Sequence, residues 1–197
     1  MIDLMRDCTL YTVSKPQLIA DFDCGNEELN DFFNYKALLF KEHLLAMTCF
    51  FRYNENGRIV CAFSLSPNAL KTTDLPNSRR KKVREHVPHE KTLQSYPAFL
   101  IGRLAVAQSF NGQGLGSQLV NYIKGFCISS YSDFCRFLLV DAYNDSFVLN
   151  FYQKNNFSFV FSTEDQERIA YRIDTEKPLE TRYLFYDMIH WKNESNN

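Results

Sequence analysis

Glycine and proline are scarce in this chain, at seven and six of 197 residues. No Gly- or Pro-rich stretch marks a linker and no internal repeat recurs, so the chain reads as one domain. An excess of either charge is also missing. Twenty-two Lys and Arg face 23 Asp and Glu, for a net charge of −1. That balance gives no global argument for nucleic acid or an anionic membrane as partner. No apolar run approaches the about 20 residues of a membrane helix. The six cysteines stand at 8, 24, 49, 61, 127 and 135. They form no C-x-x-C pair and no metal-like Cys/His spacing, so no metal site is expected. Cys49 and Cys61 fall inside apolar runs and read as small buried hydrophobes. The opening Met1-Ile-Asp-Leu-Met-Arg6 has no signal-peptide pattern, from which a reducing, cytoplasmic location is expected.

What the chain does have is aromatic residues, with 18 Phe and 11 Tyr, and the core is expected to be rich in Phe. Cys8 to Val13 alternates loosely and suits a first strand. Asn26 can cap a helix whose first turn holds Glu27 and Glu28, and Leu29, Phe32, Phe33, Ala37, Phe40 and Leu44 give it one apolar face. Thr48 to Tyr53 and Arg58 to Leu65 are strand-like about the turn signal Asn54-Glu-Asn-Gly57, which predicts a hairpin. Residues 72–96 hold Arg79-Arg80-Lys81-Lys82, Arg84, Pro76 and Pro88, and read as an inserted loop with a short helix. Beyond it come a buried strand over 98–106, a helix from Leu115, a strand over 137–142, a helix over 146–155, and strands over 157–161 and 182–189. The domain is placed at 1–191, with 192–197 as a polar, frayed tail. A mixed sheet flanked by helices is the α/β solution for this order.

Three of the seven glycines fall in Ser109-Phe-Asn-Gly-Gln-Gly-Leu-Gly116, between an apolar strand and an amphipathic helix. A strand running straight into a helix leaves first-turn N–H groups unpaired and pointing at an anion. Glycines let the backbone approach phosphate oxygens. The stretch reads as a pyrophosphate cradle, the alternative being a turn that serves only tight helix–strand packing. There is no G-K-[ST] of a P-loop, and the spacing is G-x-G-x-G rather than G-x-G-x-x-G. The expected ligand is therefore a diphosphate whose chemistry lies elsewhere in the molecule.

With its flanks, the stretch resembles the GNAT superfamily of acetyl-CoA-dependent N-acetyltransferases, whose signature Q/R-x-x-G-x-G/A reads here Asn111-Gly-Gln-Gly114-Leu-Gly116. Asn111 departs from the usual Gln or Arg. Asn144, then Phe151-Tyr152-Gln-Lys-Asn-Asn-Phe157, is similar to the family's second cofactor segment. The resemblance spans roughly residues 8–189 and implies an α/β (α+β) fold. That fold is a mixed, mostly antiparallel twisted sheet with a splayed central parallel strand pair, flanked by helices. It implies that Leu104, Ala105 and Val106 bind the pantetheine arm of coenzyme A through the backbone, with an N–H near Val106 polarising the thioester carbonyl. It also implies that Asn111, Gly112, Gln113, Gly114, Leu115, Gly116 and Ser117 hold the pyrophosphate, and that Asn144 lies along the pantetheine.

Acetyl transfer to an amine needs a proton acceptor for the amine, a donor for the oxyanion and a proton for the departing thiolate. Tyr152 stands at the family's general-acid position, and a phenol of pKa about 10 stays protonated at neutral pH. The alternative is a tyrosine packed on an apolar helix face. No base stands out among Glu42, His43, His86 and His89, and Arg103 faces either substrate or solvent. The stretches Phe22-Asp-Cys-Gly-Asn-Glu-Glu-Leu29, Phe63-Ser-Leu-Ser66 and Ile101-Gly-Arg-Leu-Ala-Val106 look like the toxin-type branch that acetylates aminoacyl-tRNA. Three readings stand. The first is a GNAT enzyme acting on an unidentified primary amine. The second is a tRNA-directed toxin paired with an antitoxin, in which Arg79, Arg80 and the rest of 79–84 meet tRNA phosphates. The third is a non-catalytic CoA-binding module. A homodimer is compatible with each.

Overall fold

The computed structural model describes residues 1–14, 21–87, 93–131, 133–174 and 177–195. Seven strands order as β1-β2-β3-β4-β5-β7-β6. They are β1 (Cys8–Thr12), β2 (Met47–Tyr53), β3 (Ile59–Lys71), β4 (Ser95–Val106), β5 (Phe137–Tyr143), β6 (Ser158–Phe159) and β7 (Thr181–Asp187). The helices are α1 (Leu4–Asp7), α2 (Glu27–Asp31), α3 (Ala37–Glu42), α4 (Asn77–Val83), α5 (Leu115–Tyr131), α6 (Ser146–Lys154), α7 (Glu164–Tyr171) and α8 (Met188–Ser195). The β1–β2, β2–β3, β5–β7 and β6–β7 pairs are antiparallel. The β4–β5 pair, joined through α5, is the parallel one, as a crossover helix requires. The mixed, mostly antiparallel sheet expected from the sequence is present.

The chain's contacts gather into two units, 1–66 with 101–123 and 67–100 with 124–197. In the first, the Asn26 side chain accepts from the Leu29 N–H and starts α2, as the sequence predicted. The helix continues through a π-helical turn, Phe32–Lys36, into α3. Phe22, Phe33, Phe32 and Phe40 follow one another edge to face. Phe51 and Phe63 both meet Tyr122 on α5. Cys49 and Cys61 are buried beside them, so the expectation of a Phe-rich core with small buried thiols holds.

The second unit centres on Leu70, Leu75, Val83, Tyr96, Ala98, Phe137, Leu139, Val160, Phe161 and Phe185. The insert contributes α4, whose Val83 enters this core. Its arginines turn inward as well. Arg79 Nε donates to the Val160 carbonyl at 3.0 Å. Arg80 donates to the carbonyls of Thr72, Thr73 and Leu75, each at 3.1 Å. Arg84 reaches Thr72 Oγ1 and the Leu93 carbonyl. The structure differs from the sequence reading in several places. Helix α7 was not anticipated, and Lys192 to Ser195 continue α8 rather than fray. The strand-like stretch 157–161 contracts to Ser158–Phe159.

Candidate functional site

The glycine loop lies wholly in the first unit. After β4, the Ala107 N–H donates to the Val60 carbonyl at 2.8 Å, and a 3₁₀ turn covers Gln108–Phe110. The Gln108 N–H donates to the Asp23 carbonyl at 2.9 Å. A Cβ built on Gly25, at φ +80°, would stand 3.2 Å from Gln108 Nε2. The Phe22-to-Leu29 stretch and the glycine loop, some eighty residues apart in sequence, therefore meet through Gln108. Arg58 steadies the next residues by donating to Ser109 Oγ at 3.0 Å and covering the Phe110 ring at 5.5 Å.

Gly112 and Gly114 have φ of +77° and +73°, the left-handed region that L side chains rarely adopt. A Cβ at either would meet no protein atom within 4 Å. The backbone thus presents open space where a diphosphate would lie. At the start of α5 the Gln118 N–H donates to the Gly114 carbonyl at 3.2 Å. The N–H groups of Leu115 and Gly116 precede it in the first helical turn, where the helix supplies no acceptor and the dipole favours an anion. Leu115 is buried, so it can offer only its backbone, whereas Asn111 and Ser117 are exposed. Gln118 fastens the helix start by accepting from the Leu4 N–H and donating to the Ile2 carbonyl. These residues fit a pyrophosphate. A cavity of about 390 Å³ opens at the preceding 3₁₀ turn, lined among others by Phe22, Asp23, Arg52, Arg58, Gln108 and Ser109.

On β4, Leu104 and Val106 are half-buried and Ala105 is buried. Arg103 turns to α2, with its guanidinium 4.6 Å from the Phe32 ring centroid and 4.0 Å from Glu28. Its assignment to substrate therefore competes with a packing role. Among the candidate bases, Glu42, His43 and His86 are exposed, and His89 lies outside the described residues. His86 stands edge to face with His190 at 5.2 Å.

Asn144 and Tyr152 belong to the second unit. Asn144 follows β5 with both kinds of its N–H engaged. Its main chain donates to the Glu180 carbonyl at 2.9 Å. Its side chain donates to Glu164 Oε1 and the Leu179 carbonyl, each at 2.9 Å. That hydrogen bond is the leading reason the Glu164 carboxyl sits below its usual range. Asp145 then caps α6 by accepting from the Phe147 and Val148 N–H groups. Tyr152, one turn from the end of α6, is 7% exposed and packs between the rings of Phe151 and Phe157. Burial alone pushes its phenol well above the ordinary tyrosine value. Its hydroxyl has no hydrogen-bond partner among the described residues.

Lys124 was overlooked in the sequence. It is 2% exposed, and its Nζ donates to the Asn155 carbonyl at 2.8 Å. The same Nζ lies 3.8 Å from the Tyr186 ring centroid, with Phe157 and Trp191 beyond. Its signal was available: it stands four residues after Val120 and one after Ile123, on the apolar side of an amphipathic helix. Among the described residues no three His, Cys, Asp or Glu side chains gather as a metal site, and no helix is long and apolar enough to cross a membrane.

Residues 77–159 match the acetyltransferase (GNAT) domain family. The tRNA-acetylating toxin of Mycobacterium tuberculosis is 28% identical over 134 residues, 68% of this chain and 74% of that protein. Two solved structures share the fold. AtaT complexed with acetyl-methionyl-tRNAfMet has a TM-score of 0.71 at 20% identity, over 96% of this chain and 99% of that one. A tyrosine-to-phenylalanine mutant of the KacT protein has a TM-score of 0.67 at 19% identity, over 96% and 99% of the two chains.

Proposed function

We propose that the chain, whose residues 77–159 match the acetyltransferase (GNAT) domain family, is a GNAT-type acetyltransferase that moves an acetyl group directly from acetyl-CoA to a primary amine, with Tyr152 protonating the leaving thiolate. Acetyl-CoA supplies the thioester: the C–S bond breaks, a C–N bond forms, the amine loses a proton and the sulfur gains one. The amides of 112–117 receive the pyrophosphate, and Leu104 to Val106 and Asn144 lie along the pantetheine arm. The observation that carries the acid assignment is the state of Tyr152. It is buried, kept protonated by burial, and has no hydrogen-bond partner among the described residues. Burial holds the proton on this phenol at neutral pH, and a thiolate forming in the same buried setting is raised in basicity for the same reason and can take it.

Turnover of acetyl-CoA across charged tRNAs, polyamines, amino acids and peptides tests this reading. Turnover on one amine class, lost in Tyr152→Phe, is the expected result. Absence of thermal stabilisation by millimolar acetyl-CoA would sink the whole proposal.

A second reading names the acceptor as the amino group of an aminoacyl-tRNA. It is favoured by the similarity to a tRNA-acetylating toxin and to AtaT, which was solved with the C-terminus of the antitoxin AtaR. In that reading an antitoxin partner, a homodimer and a cytoplasmic setting belong to the proposal. The inward hydrogen bonds of Arg79, Arg80 and Arg84 shift its phosphate contacts within 79–84 toward the exposed Lys81 and Lys82. Growth arrest on expression, relieved by Tyr152→Phe, is its test.

A further inference from the structure

The second unit contains a cavity of about 490 Å³, within the range of small-ligand sites. Its walls come from β5, β7, α7 and the segment leading into β7. Tyr171 and Tyr183 offer ring faces, and Ile173, Pro178 and Leu179 supply an apolar lining. Three carboxylates border it: Asp141, Glu167 and Glu180.

These acids are not equivalent. Glu167 is buried and spent on the fold, accepting from Arg182 Nε at 2.7 Å and from the Tyr183 N–H at 2.8 Å. Asp141 and Glu180 are exposed and form no ion pair among the described residues. Asp141 stands directly across from Tyr183 in the β5–β7 register. Its charge helps to raise the phenols of both Tyr171 and Tyr183, behind the larger effect of burial. Lys177 is the only cation among the lining residues. With Glu167 neutralised by Arg182, two carboxylates outweigh one ammonium. The cavity therefore joins negative charge, aromatic faces and apolar surface, the combination that retains an organic cation.

Its position links it to the transfer reaction. Asn144, proposed to lie along the pantetheine arm, donates to the carbonyls of Glu180 and Leu179, which are both cavity residues. Tyr183 and Asp141 continue the same wall along the strands. We infer that this cavity receives the acetyl acceptor as a primary ammonium group carried on an apolar or aromatic body, with Asp141 and Glu180 facing the charge. The inference rests on the amine-acetyltransferase reading and names the substrate class for it. An anionic or neutral acceptor of the same shape is disfavoured there.

The test uses the full chain with phenethylammonium as probe and 2-phenylethanol as its uncharged counterpart, measured by calorimetry without acetyl-CoA. Phenethylammonium should bind at least about tenfold more tightly than the alcohol, and Asp141→Asn should remove most of that difference. Lys177→Gln should tighten the ammonium, a gain that misfolding does not produce. Acetyl-CoA stabilisation should be unchanged in both variants. Equal binding of amine and alcohol, or an affinity indifferent to both substitutions, overturns the inference. Acetyl transfer to phenethylamine with a KM unmoved by Asp141→Asn also overturns it while leaving the acetyltransferase reading intact. Carboxylate-dependent binding with no transfer to any amine upholds the cation site and counts against the acetyltransferase reading.

Discussion

The Lys124 ammonium donates to the Asn155 carbonyl at 2.8 Å, three residues past Tyr152. The Phe157 N–H returns to the Tyr152 carbonyl at 3.0 Å, and the Phe157 ring packs on the Tyr152 ring at 5.5 Å. A buried cation thus closes the C-terminal end of the helix that carries the proposed acid, where the dipole favours positive charge. Lys124→Met keeps most of the volume and removes the bond, at a cost of about 1–3 kcal/mol. The melting temperature should fall, and kcat should drop more than KM for acetyl-CoA changes. A variant that loses stability with full kcat would reduce Lys124 to a packing role.

Tyr152→Phe removes one oxygen from a buried ring. If the phenol protonates the thiolate, turnover should fall about 10²-fold or more. Affinity for acetyl-CoA should hold, because the proton is used only in the transition state. Equal loss of affinity and turnover in steady-state kinetics would instead place Tyr152 in cofactor binding.

Gly114 and Gly57 give a matched pair. Both have left-handed φ, +73° and +71°, and open space around a built Cβ. Valine at either position imposes similar strain, about 1–2 kcal/mol. Only Gly114→Val should abolish the stabilisation by acetyl-CoA, and thermal shift with and without the cofactor reads both effects. Loss in both variants would trace the effect to strain rather than to the cradle.

The basic run divides by direction. Arg79→Gln and Arg80→Gln should lower stability, because each guanidinium serves backbone carbonyls of the second unit. Lys81→Gln should leave the stability within about 0.5 kcal/mol of the parent. If tRNA is the acceptor, that change should flatten the salt dependence of its binding.

Alkaline pH should destabilise the fold early. Burial, then the Asp141 charge, pushes the Tyr183 phenol from an ordinary value of 10.0 up to about 12, and burial raises Tyr152 and Tyr171 as well. Above pH 10 the unfolded chain releases these protons while the folded chain keeps them, so stability is full below pH 10 and falls from pH 10 toward 12. Denaturation midpoints across that window, compared with tyrosinate absorbance, check the sign. Tyr183→Phe should soften the decline.

The elements that sequence periodicity revealed are those whose partners are local. Asn26 caps its own helix, and the strand before the glycine loop announces itself by its apolar run. Helix α7 escaped notice because its buried residue is Glu167, whose burial depends on Arg182 fifteen residues away. The direction of Arg79 and Arg80 was illegible for the same reason: the carbonyls of Val160, Thr72 and Thr73 that receive them are placed by the fold. In the candidate site, the glycines and Tyr152 were visible as letters. Lys124 and the carboxylate cavity exist only once β5, α5 and β7 are assembled.

The positive φ angles at 112 and 114 have a consequence for handedness. At those two positions the backbone follows the path natural to a mirror-image amino acid. A semisynthetic chain with D-alanine at Gly114 would keep that path without strain while still adding a methyl group. Its behaviour would separate what the loop needs from its own geometry from what a bound diphosphate needs of the space beside it. Among ribosomally encoded residues, the only one without handedness is glycine, and this chain places four of its seven, at 25, 57, 112 and 114, where handedness would be wrong.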